Sequence, residues 1–285
     1  MRILVTGAAG CLGRAVRRLA AGKHEIVGVD VAPRGDGQVR GGTFTDLGLM
    51  RELMAGCDAV IHAAALHGGH SETHTPLQYT QTNVLGLQGM LELGVELGVR
   101  RFVFSSTMEV VIGRRWESSG LAVVDEDTPA NPDWIYPLNK LQCELLGRHY
   151  QRFHGVAFTA LRYMWFQDKP GLNPHLLARY LMPDDVARAN LLAAERNERD
   201  FHLLHIGPET PLTNADIARA VTDPGAVAEQ YWPGSGAVLA RAGVTLGPQH
   251  FWPVTRIDRA RVVLGWRPQV TFADYLRSLG WRGRG

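Results

Sequence analysis

Apolar and polar positions along this chain follow two alternating rhythms. "RILVT" (Arg2–Thr6) is a short apolar run stopped by glycine, which predicts a strand buried on both faces of a parallel sheet. "CLGRAVRRLAA" then places Leu12, Val16 and Leu19 at helical spacing, with Gly22 as the stop. "EIVGVD" (Glu25–Asp30) reads as a second strand and "FTDL" as the end of a weaker third. "DLGLMRELMAG" reads as a helix with Asp46 as its cap. "DAVIHAAA" (Asp58–Ala65) is a fourth strand, followed by a long helix from about Thr75. "RRFVFSST" (Arg100–Thr107) and "VAFTALRY" (Val156–Tyr163) are two further strands, with a long helix from Tyr136 to Phe153 between them. Such alternation predicts an α/β fold, a Rossmann-type doubly wound parallel sheet.

After Tyr163 the regularity fades. "PDDVARANLLAAE", with Pro183 near its start, is a helix, "HLLHIG" a short strand and "TNADIARAV" a capped helix. "GSGAVLARAGVTLGP" is Gly-rich and ambiguous, and "RIDRARVVLGW" and "TFADYLRSLGW" read as two closing helices. The expected division is residues 1–165 as a nucleotide-binding domain and 166–285 as a small, shortened C-terminal substrate-binding region, some of whose elements return to the first. No internal repeat or low-complexity tract is present.

Composition changes this picture little. The chain has 285 residues, 45% hydrophobic and 20% charged, with formal charge +2. That balance gives no electrostatic reason to expect nucleic acid or membrane as partner, and the basic end "WRGRG" is too short to alter it. No apolar run reaches the roughly 18 residues of a membrane span. Cys11, Cys57 and Cys143 are an odd, scattered set. They form neither a disulfide framework nor a metal-ligand spacing, so a reducing cytoplasm is expected. A glycine turn beginning at Gly7 leaves no room for a signal peptide.

Two constellations carry chemistry. The first is strand, G-x-x-G-x-x-G, helix, with Gly7, Gly10 and Gly13. Glycines permit a tight turn and close approach, and the following helix N-terminus favours an anion, so this is the arrangement for a pyrophosphate. Asp30 ends the second strand 23 residues after Gly7, where a carboxylate can accept from both adenosine ribose hydroxyls and repel a 2′-phosphate. That favours NAD over NADP, with nearby Arg34 as the opposing feature. The second is "YPLNK", which sets Tyr136 and Lys140 at i and i+4 on one helix face. An unperturbed phenol titrates near ~10, so an ammonium one turn away is expected to lower its pKa and make it a usable base.

In order along the chain, "TGAAGCLG", "VGVD", "HAAA", "TNVLG", "FSST", "YPLNK", "LRY" and "DDVARA" resemble the extended short-chain dehydrogenase/reductases of the NAD-dependent epimerase/dehydratase family. The resemblance covers roughly the whole chain and is sharpest before residue 165. It implies NAD held by Gly7, Gly10, Cys11, Leu12 and Gly13, with Asp30 on the adenosine ribose and Asp46 and Leu47 beside adenine. Ala63, Ala64 and Ala65 would line the cofactor, and Tyr163 would pack near the nicotinamide. Asn83 would either take a direct part or serve as a hydrogen-bonded core amide. Thr107 would hold the reacting hydroxyl, Tyr136 would be the acid/base and Lys140 its partner, also holding the nicotinamide ribose. The resemblance also implies a homodimer built on the two long helices, with Leu85, Leu91, Leu145 and Leu146 available to the interface or to the sheet.

Departures from the family bear on substrate. Only 23 residues separate Arg162 from Asp185, where the family usually inserts much of a substrate domain. "LRYMW" puts Trp165 where nucleotide-sugar epimerases often carry asparagine, and Ile112-Gly113 replaces the usual Tyr-Gly. The loop "RRWESSGLAVVDEDTPANPDW" is long. In the opposite sense, "TMEV" sets Glu109 two residues after Thr107, as in family dehydratases and decarboxylases, with Met108 between them. Glu109 is either a base on a neighbouring carbon or a carboxylate that shapes the pocket and pairs with Arg114 or Arg115. His67 and His70 of the loop are expected substrate contacts, together with Thr107, Met108 and Trp165; a metal site is not expected. The expected activity is oxidation of a secondary hydroxyl on a sugar-like substrate, nucleotide-linked or free, in an epimerase or dehydratase that regenerates NAD. The alternatives are a net sugar or uronate dehydrogenase releasing NADH, and a non-catalytic NAD-sensing regulator.

Overall fold

The computed structural model describes residues 1–33, 35, 37–113, 123–169, 171–251 and 253–283. Arg34, Arg114, Arg115 and the end of the "WRGRG" tail therefore lie outside or at the border of the described residues. In chain order come β1 (Arg2–Thr6), α1 (Cys11–Ala20), β2 (Glu25–Asp30), β3 (Val39–Gly41), α2 (Leu47–Met54) and β4 (Ala59–His62). Then follow α3 (Pro76–Thr80), α4 (Gly86–Leu97), β5 (Arg101–Thr107), the single turn α5 (Glu109–Ile112), β6 (Val123–Val124), α6 (Ile135–His154) and β7 (Ala157–Tyr163). The remainder comprises β8 (Trp165–Phe166), β9 (Tyr180–Leu181), α7 (Pro183–Glu195), β10 (Phe201–Ile206), α8 (Asn214–Ala220), α9 (Pro224–Tyr231), α10 (Ser235–Arg241), β11 (Val254–Thr255), α11 (Asp258–Leu264) and α12 (Phe272–Ser278).

Seven strands form one parallel sheet in the order β10-β7-β5-β4-β1-β2-β3. Strand order reverses between β1 and β4, and the crevice beyond the carboxyl ends of strands at such a switch point is where ligands bind in open α/β sheets. Successive strand side chains point to opposite faces. Ile3 and Val5 accordingly pack with Val16 of α1 and Val186 of α7, while Leu4 packs with Met50, Leu87 and Met90 of the opposite layer. A third cluster, including Leu177, Tyr180, Phe251 and Phe272, is built from the C-terminal region. β10 and α7 return to the main sheet and its first core.

Several expectations need correction. "FTDL" forms no strand; β3 is only Val39–Gly41, Phe44–Asp46 lead into α2, and Leu47 is its first residue. The long helix from Thr75 is broken by a π-turn over Gln81–Leu85, where Asn83 turns inward. The ambiguous Gly-rich stretch contains α10, and α9 had no clear signal before it. Of the leucines open to either the interface or the sheet, Leu91 takes the sheet side, fully buried in the core, and Leu146 packs partly against the same cluster. Leu85 and Leu145 are each 57% exposed.

α6 is fixed to the sheet by a buried ion pair. Arg162 on β7 donates from Nε and Nη2 to the two carboxylate oxygens of Glu144, at 2.9 and 2.7 Å, and Ser106 Oγ on β5 donates to Glu144 at 2.5 Å. A planar guanidinium gripping a carboxylate at two points sets orientation as well as distance. It holds α6, which carries Tyr136 and Lys140, in one register against β5, which carries Thr107.

Two histidines of the sheet are buried as neutral rings. His62 bonds Thr6 Oγ1 at 2.9 Å, and burial together with the Lys140 charge pulls its pKa down to about 3. Burial, Arg162 and Arg259 pull His205 down to about 3 as well. The unfolded chain binds protons at these positions below about pH 6.5 while the folded chain does not. Stability from this source is full above that value and is lost as pH falls toward 3, by about 1 kcal/mol per pH unit for each ring. Thermal melts from pH 7 to 4 should show a falling Tm that is shallower in His205→Leu; an unchanged slope would refute the assignment.

Candidate active site

The turn after β1 is shaped by two glycines with different tasks. Gly7 has φ +69°, and a Cβ there would stand 3.0 Å from the backbone nitrogen of Ala64. At Gly13 a Cβ would stand 2.2 Å from the Gly7 carbonyl oxygen and 2.5 Å from Ala8 Cα, so α1 can approach the turn only without a side chain. Asp30 accepts from the backbone N–H of Ala9 at 3.0 Å and of Ala32 at 2.9 Å, tying the end of β2 to the glycine turn.

A cavity of about 800 Å³ runs from this turn to α6. Gly7, Gly10, Cys11, Leu12, Gly13 and Asp30 line one end, Ala63, Ala64 and Ala65 the middle, and Thr107, Glu109, Tyr136, Lys140 and Tyr163 the other. His67, His70 and Trp165 border the same space. Among the described residues no three His, Cys, Asp or Glu side chains converge as a metal site.

Asp46, Leu47 and Met108 are placed away from the cavity, while Asn83 takes the second of its two expected roles, a hydrogen-bonded core amide. Asp46 and Leu47 do not line the cavity: Asp46 caps α2 by accepting from Leu49 N at 3.1 Å, and Leu47 packs over Gly89. Thr43 and Phe44 occupy the corresponding wall beside Val31 and Ala32. Asn83 is a brace, accepting from Leu66 N at 2.8 Å and donating to Leu66 O at 2.9 Å, while its neighbour Thr82 reaches the cavity. Met108 is buried in an apolar cluster with Val111, Ile112, Val124 and Met164 and has no cavity surface.

At the reactive end, Thr107 hydrogen-bonds the Tyr136 phenol, and the Glu109 backbone N–H donates to Thr107 Oγ1 at 3.2 Å. Trp134 was not singled out by sequence. Its indole N–H donates to Glu109 Oε2 at 2.7 Å, and its ring packs 5.4 Å from that of Tyr136. An aromatic two residues before the tyrosine is the only sequence signal it offers. Lys140 donates to the Ser105 carbonyl at 2.6 Å and lies 5.6 Å from the Tyr136 ring centroid. The expected lowering of the phenol pKa by this lysine is not found. Burial and the Glu109 charge push Tyr136 up, against the pull of the Thr107 hydrogen bond. Burial also pulls Lys140 down to about 8, partly offset by Cys143 and Glu144. Cys11 is no reactive thiol, since burial and Asp168 push it to about 12.

A dinucleotide fits these residues on one structural ground in particular. An ammonium has three donors, and buried Lys140, which lines the cavity, spends one on the Ser105 carbonyl among the described residues. Ribose hydroxyls would offer acceptors to the others.

A model of the NAD dependent epimerase/dehydratase family matches residues 3–166. The UDP-glucose 4-epimerase of Streptococcus mutans is 26% identical, over 99% of this chain and 96% of its own. That alignment runs 336 positions against a chain of 285, so roughly 50 of the epimerase's positions have no counterpart here. Uronate dehydrogenase of Agrobacterium fabrum is 31% identical, over 65% of this chain and 68% of the relative. Among solved structures, an NAD-bound short-chain dehydrogenase/reductase superfamily protein from Agrobacterium tumefaciens shares the fold with TM-score 0.74 at 24% identity, covering 98% of this chain and 96% of that one.

Proposed function

The chain belongs to the NAD dependent epimerase/dehydratase family of extended short-chain dehydrogenase/reductases and is an NAD-dependent enzyme; from that premise we propose that it oxidises a secondary hydroxyl of a small, sugar-like substrate that carries no nucleotide. The size and lining of the cavity carry this reading. A single space of about 800 Å³ serves cofactor and substrate together, and Lys140 is its only lysine or arginine among the described residues. Pockets for one ligand commonly span about 300–1,000 Å³, and a nucleoside-diphosphate substrate would need a second polyanion site.

In this reading Thr107 Oγ holds the substrate hydroxyl and Tyr136 takes its proton. Lys140 orients the ribose and keeps positive charge beside the phenol, and Trp165, 41% exposed, offers an apolar ring to a sugar face. NAD supplies the hydride acceptor when bound. Of residues 166–285, Phe166 and Gln167 reach the cavity, next to Trp165, and the exposed Leu85 and Leu145 on the two long helices support a homodimer.

Purified protein should form NADH with free sugars or sugar acids and none with nucleoside-diphosphate sugars. Conversion of a nucleotide sugar without net NADH would overturn the proposal. One observation favours a second reading, an epimerase or dehydratase that returns the hydride: Trp134 holds the Glu109 carboxylate beside Tyr136, where a second base would stand. Nucleotide retained at about one per chain after purification would support that second reading.

A further inference from the structure

The loop between β4 and α3 carries a pair of histidines whose donor and acceptor roles are fixed by the backbone. His67 Nδ1 accepts from Gly69 N–H at 3.4 Å, and His70 Nδ1 accepts from His67 N–H at 3.1 Å. A neutral imidazole that accepts at one nitrogen carries its proton on the other. Both rings therefore present Nε2–H, and neither Nε2 has a protein partner among the described residues. The rings meet edge to face with centroids 4.5 Å apart, and both border the cavity.

This loop is held in place from beneath. Tyr79 donates its hydroxyl to the His67 carbonyl at 2.6 Å, and Asn83 clamps both backbone groups of Leu66. His74 packs against the far side of His70, 5.7 Å between centroids. His67 also senses the Lys140 charge, which places it toward the reactive end of the cavity.

Two such donors, on rings whose centroids are 4.5 Å apart, match a group with two acceptor oxygens. A neutral sugar hydroxyl is a weaker match, because a hydrogen bond from these donors to a charged acceptor is roughly twice as strong as one to a neutral oxygen. A diphosphate is poor, because its charge calls for arginine or lysine. A planar carboxylate matches both number and type.

Resting on the oxidation proposed above, we infer that His67 and His70 are specificity-determining residues that read a substrate carboxylate through their two Nε2–H donors, so that the substrate is a sugar acid.

The test measures binding to the NAD-loaded protein by titration calorimetry, with glucuronate and galacturonate against glucose and galactose. Asparagine at either position keeps an acceptor oxygen near the Nδ1 site, and so keeps the loop bonds, while removing the Nε2 donor. Wild-type protein should bind one of the acids about 10-fold or more tighter than its neutral sugar, and His67→Asn/His70→Asn should cut that preference below about 3-fold with little change in Tm. The single variant His70→Asn, expected to lose part of the preference, serves if the double variant is unstable. Equal binding of acid and neutral sugar by wild type, or a preference that survives both substitutions, overturns the inference. NADH formation is followed in parallel. An acid that binds selectively but is never oxidised defeats the oxidation and leaves the carboxylate site standing. Oxidation of neutral sugars with no preference for an acid does the reverse.

Discussion

Tyr136→Phe should lower kcat on the established substrate by about 10³-fold, within the 10²- to 10⁴-fold range for loss of a positioned acid or base, while NAD binding and Tm stay near wild type. The phenol oxygen is the group hydrogen-bonded to Thr107 at the end of β5, so phenylalanine removes the proton acceptor and little else. The ring keeps its contact with Trp134, and the α6 anchor through Glu144 and Arg162 is untouched. Since burial and Glu109 both raise the phenol pKa, the phenolate forms only above the ordinary phenol value of ~10, and activity should keep climbing with pH into the alkaline range. Glu109→Gln removes one of those causes, so its profile should move to lower pH. Full turnover by Tyr136→Phe would refute the assignment, and an unmoved profile in Glu109→Gln would refute the electrostatic account.

The parts of this molecule that follow local rules were legible in the sequence. The apolar runs that became β1, β4, β5 and β7 are buried on both faces, so they read as continuous hydrophobic stretches with a hard stop at each end. The turn glycines and the Tyr136–Lys140 spacing are likewise set within a few residues.

What failed to read out depended on distant contacts or on marginal elements. β3 is three residues at the sheet edge and too short to announce itself, so "FTDL" reads as a strand end, while Asp46 caps α2 as its local sequence predicts. Thr43 and Phe44 reach the cavity because β3 ends at Gly41, which no periodicity announces. Met108 sits between two cavity residues, yet the turn after β5 points its side chain into an apolar cluster. The Trp134–Glu109 bond joins residues 25 apart, and the Asn83–Leu66 clamp joins residues 17 apart. The Lys140 ammonium found a carbonyl acceptor rather than the phenol, a choice set by the path of β5.

Gly13→Ala should be the most damaging single-methyl change in the nucleotide-binding half. The added carbon would stand 2.2 Å from the Gly7 oxygen, 2.5 Å from Ala8 Cα and 2.7 Å from Ala8 C, all backbone atoms without a rotamer to yield. Either α1 moves off the turn or the turn moves off the ends of β1 and β4. Overpacking in a tight core costs about 1–3 kcal/mol or more, and here the displaced atoms are the ones that form the anion cradle. NAD affinity should fall by about 100-fold or more, with a lowered Tm, since each 1.4 kcal/mol is tenfold in binding. Gly37→Ala is the matched control, because a Cβ there meets nothing within 4 Å. If calorimetry finds NAD bound as tightly by Gly13→Ala as by Gly37→Ala, the close approach of α1 to the turn is not what builds the site. If Gly13→Ala melts like wild type yet fails to bind NAD, the methyl has been accommodated by moving the turn, and the cradle alone has been lost.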